Sequence, residues 1–199
     1  MKSKNWVNRQ KNDQFVKKAK QLGYVNRAAF KLEEIEQKYK IIEKSKEILE
    51  LGSSPGGWTQ VILNYNPKVN ITCFDLLDMK INNQNINFYK EDFLKYNFIN
   101  LKNKFNLVLS DVAPNTTGHQ STDHLRISQL IYEVIERLKI ILKNKGAFIF
   151  KIWKGEEEKE IINKLKKNFE KVEYFKPKSS RQESSEIFIV SRGFKLNEK

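Results

Sequence analysis

The stretch Glu50-Leu51-Gly52-Ser53-Ser54-Pro55-Gly56-Gly57-Trp58-Thr59-Gln60 constrains this chain more than any other. It follows the apolar pair Ile48-Leu49 and leads into Val61-Ile62-Leu63. That order reads as strand, glycine-rich turn, helix. Such a turn at the carboxyl end of a strand brings backbone N–H groups and a helix N-terminus to a ligand. The spacing is not the dinucleotide Gly-x-Gly-x-x-Gly pattern. It is not a P-loop either, because no Gly-Lys-Ser/Thr follows. Small residues, a proline and a Gly-Gly pair suit a loop lying flat against a compact, partly apolar cofactor.

Strands and helices alternate around this turn. Residues 47–51 read as a first strand, 71–75 as a second, 86–89 as a third and 106–111 as a fourth. Leu107-Val108-Leu109 is continuously apolar, as in a strand covered on both faces. An amphipathic helix begins after Asn26, with Ala29, Phe30, Leu32, Ile35 and Tyr39 at helical spacing. A long helix is expected over 122–143, ended by Gly146, which opens a fifth strand over 147–153. Residues 156–169 read as a further helix. Residues 172–175 and 186–191 close the pattern with no helix between them, which predicts an antiparallel hairpin. The class is α/β: an open, mostly parallel sheet with helices on both faces.

No repeat or linker divides the 199 residues, so residues 1–199 are expected to form one domain, with 39% hydrophobic residues to build a core. The net charge of +13 is an electrostatic footprint for a polyanion, although a lysine-rich codon bias gives the same excess. A single cysteine, Cys73, excludes an internal disulfide and sits in the apolar run Ile71-Thr72-Cys73-Phe74, as a core residue would. With only His119 and His124 beside it, no metal-ligand cluster is expected. No stretch reads as a membrane span or as a signal-peptide core, so an intracellular chain is expected.

Three acids stand at successive strand ends: Asp75, Asp92 and Asp111. An acid about 20 residues beyond a glycine loop accepts hydrogen bonds from ribose hydroxyls. Any one of them alone could be a turn or cap residue. At the ends of three consecutive strands they mark the rim of a nucleoside site.

Five segments carry a more specific pattern. They are Arg27-Ala28-Ala29-Phe30-Lys31-Leu32-Glu33-Glu34-Ile35, Gly52-Ser53-Ser54-Pro55-Gly56-Gly57-Trp58, Asp75-Leu76-Leu77, Ser110-Asp111-Val112-Ala113-Pro114-Asn115 and Ser179-Ser180-Arg181-Gln182-Glu183-Ser184-Ser185-Glu186. Together they resemble the FtsJ-type ribose 2′-O-methyltransferases over residues 6–195. The resemblance implies a Rossmann-like, seven-stranded, mostly parallel sheet with a C-terminal antiparallel hairpin. It implies S-adenosylmethionine as cofactor, S-adenosylhomocysteine as product, and no metal. The cofactor positions it implies are Gly52, Pro55, Gly56, Gly57, Trp58, Asp75, Asp92 and Asp111. One departure is Glu50, where the family usually carries Asp; its reach to the cofactor would be one methylene longer.

The resemblance also implies a catalytic Lys-Asp-Lys-Glu set, which falls on Lys31, Asp111, Lys151 and Glu186. The methyl group of a sulfonium is already activated. What the reaction needs is a ribose 2′-hydroxyl held in line and relieved of its proton. Lys151 follows the apolar run Ala147-Phe148-Ile149-Phe150, so it emerges from a desolvated place. Burial and a neighbouring like charge, for which Lys31 is the candidate, favour the neutral amine of a lysine. A neutral Lys151 could accept the hydroxyl proton as general base, with Asp111 and Glu186 orienting the two lysines. Without the resemblance, nothing selects these two among 37 lysines and arginines, most of which are solvated.

Basic residues flank that set in sequence. The segment 1–25 carries Arg9, Lys11, Lys17, Lys18 and Lys20, and Arg27 follows; Lys176, Lys178, Arg181 and Arg192 surround Glu186. Phosphate contacts of this kind position RNA without reading its sequence. Residues 177–185 read as a flexible loop able to close on RNA. Trp6 and Trp153 fit either base stacking or core packing. The tRNA-acting branch of the family carries Ser where this chain has Gly57, and it has a longer tail beyond the position of Glu186. The ribosomal branch is therefore favoured. The expected partner is ribosomal RNA, in the large subunit or its precursor, with a uridine as acceptor and the enzyme a monomer away from membranes. The runs Arg181-Gln182-Glu183-Ser184-Ser185-Glu186 and Asp123-His124-Leu125-Arg126 resemble mitochondrial members, which favours an organellar matrix over cytoplasm or nucleus. The alternatives are a tRNA 2′-O-methyltransferase and a non-catalytic RNA-binding protein on the same fold, the latter disfavoured by the intact four-residue set. A nucleotide-dependent dehydrogenase is disfavoured by the missing Gly-x-Gly-x-x-Gly.

Overall fold

The structure, a computed structural model, describes residues 12–112, 120–155, 157–181 and 183–196. Trp6, Arg9, Lys11, Ala113-Pro114-Asn115, His119, Glu156 and Gln182 lie outside the described residues.

The elements run α1 (Gln14–Gln21), α2 (Ala29–Tyr39), β1 (Glu47–Leu51), α3 (Gly57–Tyr65), β2 (Asn70–Phe74), β3 (Ile86–Tyr89), β4 (Phe105–Ser110), α4 (Gln120–Ile141), β5 (Leu142–Trp153), α5 (Glu158–Asn168), β6 (Phe169–Phe175) and β7 (Glu186–Phe194). A 3-10 turn, Phe98–Leu101, precedes β4. The strands form one sheet in the order β3-β2-β1-β4-β5-β7-β6. The first five pair in parallel, and β7 pairs antiparallel with both β5 and β6. Strand order reverses between β1 and β4, which opens a crevice at their carboxyl ends.

Side-chain alternation decides what each face carries. Ile48 in β1, Leu107 and Leu109 in β4, Ile149 in β5 and Phe188 and Val190 in β7 pack against α2 and α3, through Leu32, Ile35, Trp58 and Ile62. Leu49, Val108, Phe148, Phe150, Ile187 and Ile189 pack on the other face, against Ile131, Val134 and Leu138 of α4 and Ile161 and Leu165 of α5. Phe148 and Phe150 stack at 4.6 Å within that second layer. Burying a side chain of this size contributes about 2–3 kcal/mol, so both layers hold the strand ends firmly. By the same parity, Lys151 stands on the α2 face of β5 and Glu186 on the α2 face of β7.

Two expectations change in detail. Residues 12–25 include a helix, α1, capped by Asp13, whose Oδ1 accepts from Phe15 N at 3.0 Å and from Val16 N at 3.3 Å. Gly146 does not end the long helix. β5 begins at Leu142, directly after α4, and Gly146 lies inside it. Leu142 is buried and pairs with Phe105, and an irregularity in register between Phe105 and Leu107 absorbs the added length. A Cβ at residue 146 would stand 2.8 Å from Leu142 Cδ1, so close packing, not helix termination, is what this glycine serves.

Candidate active site

Leu51 lies in register with Phe74 on one side and Ser110 on the other. Gly52, Asp75 and Asp111 are therefore the next residues beyond three adjacent strand ends. Gly52 N and Ser53 N donate to Phe74 O at 2.9 and 3.3 Å, which turns the chain out of the sheet. Gly52 has φ +77° and Gly56 φ +111°, conformations that favour glycine. Space agrees with backbone. A Cβ at 52 would stand 2.8 Å from Val112 Cγ2, and one at 56 would stand 2.9 Å from Met79 Sδ. The loop is strapped to the segment after β2: Lys80 N donates to Pro55 O at 3.1 Å, and Ser54 Oγ donates to Asp78 O at 3.0 Å.

Asp75 ties these parts together. Its Oδ2 accepts from Ser54 N and its Oδ1 from Leu77 N, both at 2.8 Å. A carboxylate has about four acceptor sites, so each oxygen keeps capacity for a ribose hydroxyl. Leu76 and Leu77 beside it are 66% and 67% exposed, an apolar surface suited to a flat base. Asp92 Oδ1 accepts from Leu94 N at 3.0 Å in a local turn after β3. The Trp58 side chain is turned inward: it is buried, donates Nε1–H to Ala28 O at 2.9 Å, and stands 5.7 Å from the Phe188 ring. What Gly57 and Trp58 could offer a ligand is main-chain N–H at the start of α3, where the first N–H groups have no helical partner. Carboxylates for ribose, leucines for a base and helix-start N–H groups for a carboxylate make a donor set that fits S-adenosylmethionine.

Glu50 goes elsewhere. It shares the α3 face of β1 with Ile48 and is 1% exposed. Its Oε2 accepts from Thr59 Oγ1 at 2.7 Å and from the buried Cys73 thiol at 3.8 Å. The longer side chain thus reaches α3 and β2 and ties them to β1. Burial pushes its carboxyl up to about 8; the Thr59 and Cys73 hydrogen bonds oppose this, and the charges of Asp111 and Asp75 add to it. Burial, reinforced by Glu50, also raises the Cys73 thiol well above its ordinary value.

Beyond β4 lie the residues of the implied catalytic set. Lys31 Nζ from α2 stands 2.7 Å from Glu186 Oε1 and 2.9 Å from Oε2, holding both oxygens. Ser180 Oγ donates to Oε1 at 2.8 Å. Burial pushes the Glu186 carboxyl up, but the charge and hydrogen bond of Lys31, with help from Ser180 and Lys151, pull it below its ordinary value. Lys151 Nζ donates to Asp111 O at 2.8 Å. Its contact with Asp111 Oδ1, also 2.8 Å, is an ion pair without hydrogen-bond alignment. All four side chains are between 10% and 18% exposed. The four implied catalytic residues therefore stand as two nearly buried ion pairs. Two cavities flank them, sharing Glu183, Ser184 and Glu186 as a wall. One, of about 460 Å³, also includes Arg27, Lys31 and Arg181; the other, of about 450 Å³, includes His124, Lys151 and Trp153.

Within residues 177–185, expected as a flexible loop, Lys178, Ser179 and Arg181 are pinned. Lys178 N and Ser179 N donate to the Glu34 carboxylate at 2.6 and 2.8 Å, and Arg27 Nη2 donates to Ser179 O. Arg27 and Arg181 both pair with Asp13, Arg181 at 3.3 Å. Asp13, Glu34 and Ser180 were not among the expected site residues. The Asn12-Asp13 cap signal before Gln14-Phe15-Val16 could have found the first. Nothing local marks the other two, since their partners lie far along the chain. Among the described residues no group of three or more His, Cys, Asp or Glu is placed to hold a metal. No helix among them is long and apolar enough to cross a membrane.

Comparison with known proteins agrees with this geometry. The FtsJ-like methyltransferase family model matches residues 24–194. A protein of Caulobacter vibrioides named ribosomal RNA large subunit methyltransferase E is 43% identical over 194 residues, covering 96% of this chain and 85% of that protein. A protein of the same name from Wolbachia pipientis is 40% identical, covering 92% and 96%. Among solved structures, a ribosomal RNA methyltransferase from Plasmodium falciparum superposes with a TM-score of 0.74 at 30% identity, covering 86% of this chain and 98% of that one. The tRNA (m1A58) methyltransferase of Aquifex aeolicus, with a TM-score of 0.58 at 12% identity, shares the fold alone. With its seven-stranded sheet, its glycine loop and a family match across both, the chain belongs to the FtsJ-like methyltransferases, a family that uses S-adenosylmethionine.

Proposed function

We propose that this chain transfers a methyl group from S-adenosylmethionine to a ribose 2′-hydroxyl, a uridine's, in large-subunit ribosomal RNA. The observation that carries the reading is the placement of Lys31–Glu186 and Lys151–Asp111 as two nearly buried ion pairs beside the crevice between β1 and β4. The names of the curated relatives support the choice of ribosomal RNA. Those relatives are bacterial, so the organellar matrix rests on the mitochondrial resemblance of 123–126 and 181–186 alone. The chain acts as a monomer in this reading, with the basic segment 1–25 contributing to RNA binding.

When bound, S-adenosylmethionine supplies a methyl group already activated by its sulfonium. The Gly52–Trp58 backbone, Asp75 and Asp92 would hold it, with Asp111 at the boundary to the acceptor. The proton of the 2′-hydroxyl passes to Lys151 Nζ while the oxygen takes the methyl group. Asp111 fixes the position of that amine through its main-chain oxygen and carboxylate. Glu186 grips Lys31 with both oxygens, so the second lysine is held in place near the acceptor. Base catalysis of this kind contributes about 10²–10⁴-fold, and alignment of two bound reactants supplies much of the rest. Arg27 and Arg181 line the cationic cavity and would hold RNA phosphates.

The test uses labelled S-adenosylmethionine with either large ribosomal subunits or total tRNA, followed by mapping of alkali-resistant positions. Label at one uridine of the large-subunit RNA is the expected result. Label in tRNA alone would move the substrate to that pool. Label in neither would favour the non-catalytic RNA-binding alternative.

A further inference from the structure

Two cavities share the Glu183–Glu186 wall, and their chemistry differs. The one on the Lys31 side carries Arg27 and Arg181, which suits phosphates. The one on the Lys151 side carries Trp153 and His124 and has a volume of about 450 Å³, within the roughly 300–1,000 Å³ of small-molecule sites. In a nucleotide the base hangs from the carbon next to the one bearing the 2′-hydroxyl. A hydroxyl at Lys151 Nζ therefore puts its own base within a few bonds of that amine. We infer that the cavity lined by His124, Lys151, Trp153, Ser184 and Glu186 receives the base of the acceptor nucleotide, with Trp153 as its stacking platform. This rests on the ribose-methylation reading above.

Trp153 is built for the task. It ends β5 directly opposite Glu186 in the β5–β7 register, so the tetrad and the platform share one backbone frame. It is half-buried, backed by the α4–α5 core layer, and lines the cavity. The His124 ring stands 5.7 Å from the Trp153 ring at 58°, which limits the indole's freedom. Gly155 in turn closes on His124: a Cβ at 155 would overlap the imidazole. His124 Nε2 is sealed and has no hydrogen-bond partner among the described residues. A buried polar atom without a partner calls for an explanation. Stacking on an aromatic side chain tolerates any base, so Trp153 supplies affinity for the base and not selection among bases.

The test is methyl-transfer kinetics of the full chain on a synthetic RNA spanning the acceptor position, carrying uridine or the non-aromatic 5,6-dihydrouridine there. For Trp153→Ala, the RNA KM is expected to rise about tenfold or more, with the S-adenosylmethionine Kd unchanged and Trp153→Phe restoring most of the loss. Dihydrouridine is expected to cost the wild-type chain a similar factor and to cost Trp153→Ala nothing further. Should the alanine variant not fold, Trp153→Leu keeps apolar contact with the core, removes the π face, and is held to the same expectations. Independent, additive losses from the variant and from dihydrouridine would overturn the subsite. So would an unchanged KM in the folded variant. A wild-type chain that transfers methyl to no ribosomal RNA would instead overturn the underlying reading, and the subsite with it.

Discussion

The cofactor end and the acceptor end of this molecule are built by different means. At the cofactor end, partners are near in sequence: Glu50 meets Thr59 nine residues on, and Ser54 meets Asp75 after 21. At the acceptor end, Lys31 meets Glu186 across 155 residues, Arg27 meets Ser179 across 152 and Glu34 meets Ser179 across 145. The first is the property of one strand–helix–strand unit. The second exists only when α2 and the β6–β7 connection have docked against each other. A cradle made locally can keep its ligand when distant parts loosen, whereas a site made from opposite parts of the chain registers any disturbance of either.

Substitutions separate the two ends. The largest effect is expected from Lys151→Ala: single-turnover methyl transfer falls about 10²–10⁴-fold, while calorimetry finds S-adenosylmethionine binding unchanged. Near-normal transfer in that variant would remove Lys151 from the role of base. Asp75→Ala acts on the other end. Losing a charged acceptor and its grip on Ser54 N is expected to weaken S-adenosylmethionine about 10- to 100-fold and leave RNA affinity intact. Glu34→Ala frees the main chain of Lys178 and Ser179 without touching the tetrad. A severalfold rise in the RNA KM with faster proteolysis within 177–185 is expected; equal loss of cofactor affinity would show that the two ends are not separable. The smallest effect belongs to Glu50→Gln. The Glu50 carboxyl is raised to about 8 by burial, so the folded chain binds a proton that the unfolded chain releases near its ordinary value. Stability therefore falls as pH rises from about 4.5 to about 8. Thermal melts at pH 6 and pH 9 are expected to differ by several degrees in the wild type and by less in the glutamine variant.

The same contrast explains what could be read from the sequence. The glycine loop and the three strand-end acids lie in order along the chain, and short apolar runs mark the strands between them. Seven strands and their hairpin followed from pattern and resemblance together. Glu50 was expected to reach toward the cofactor and instead turns inward with Ile48; its contacts with Thr59 and Cys73 depend on how closely α3 and β2 pack. Lys31 and Glu186 were recognised only through the family pattern. Glu34 and Ser180 stayed hidden, because an acid on an amphipathic helix and a serine in a loop look like solvated residues until their distant partners are placed. Gly146 misled for a related reason: a glycine near a helix end reads as a stop, while the closeness of Leu142 is a tertiary fact.

The position of β7 has a consequence for how the enzyme comes into being. It follows β6 in the chain yet lies between β5 and β6 in the sheet. During synthesis from the N-terminus, β1 to β4 emerge well before β7. Glu186, at the first residue of β7, then completes both the sheet and the grip on Lys31 in one insertion. The last strand of the chain therefore closes the sheet from within, and the two halves of the Lys31–Glu186 pair meet only once it is seated between β5 and β6.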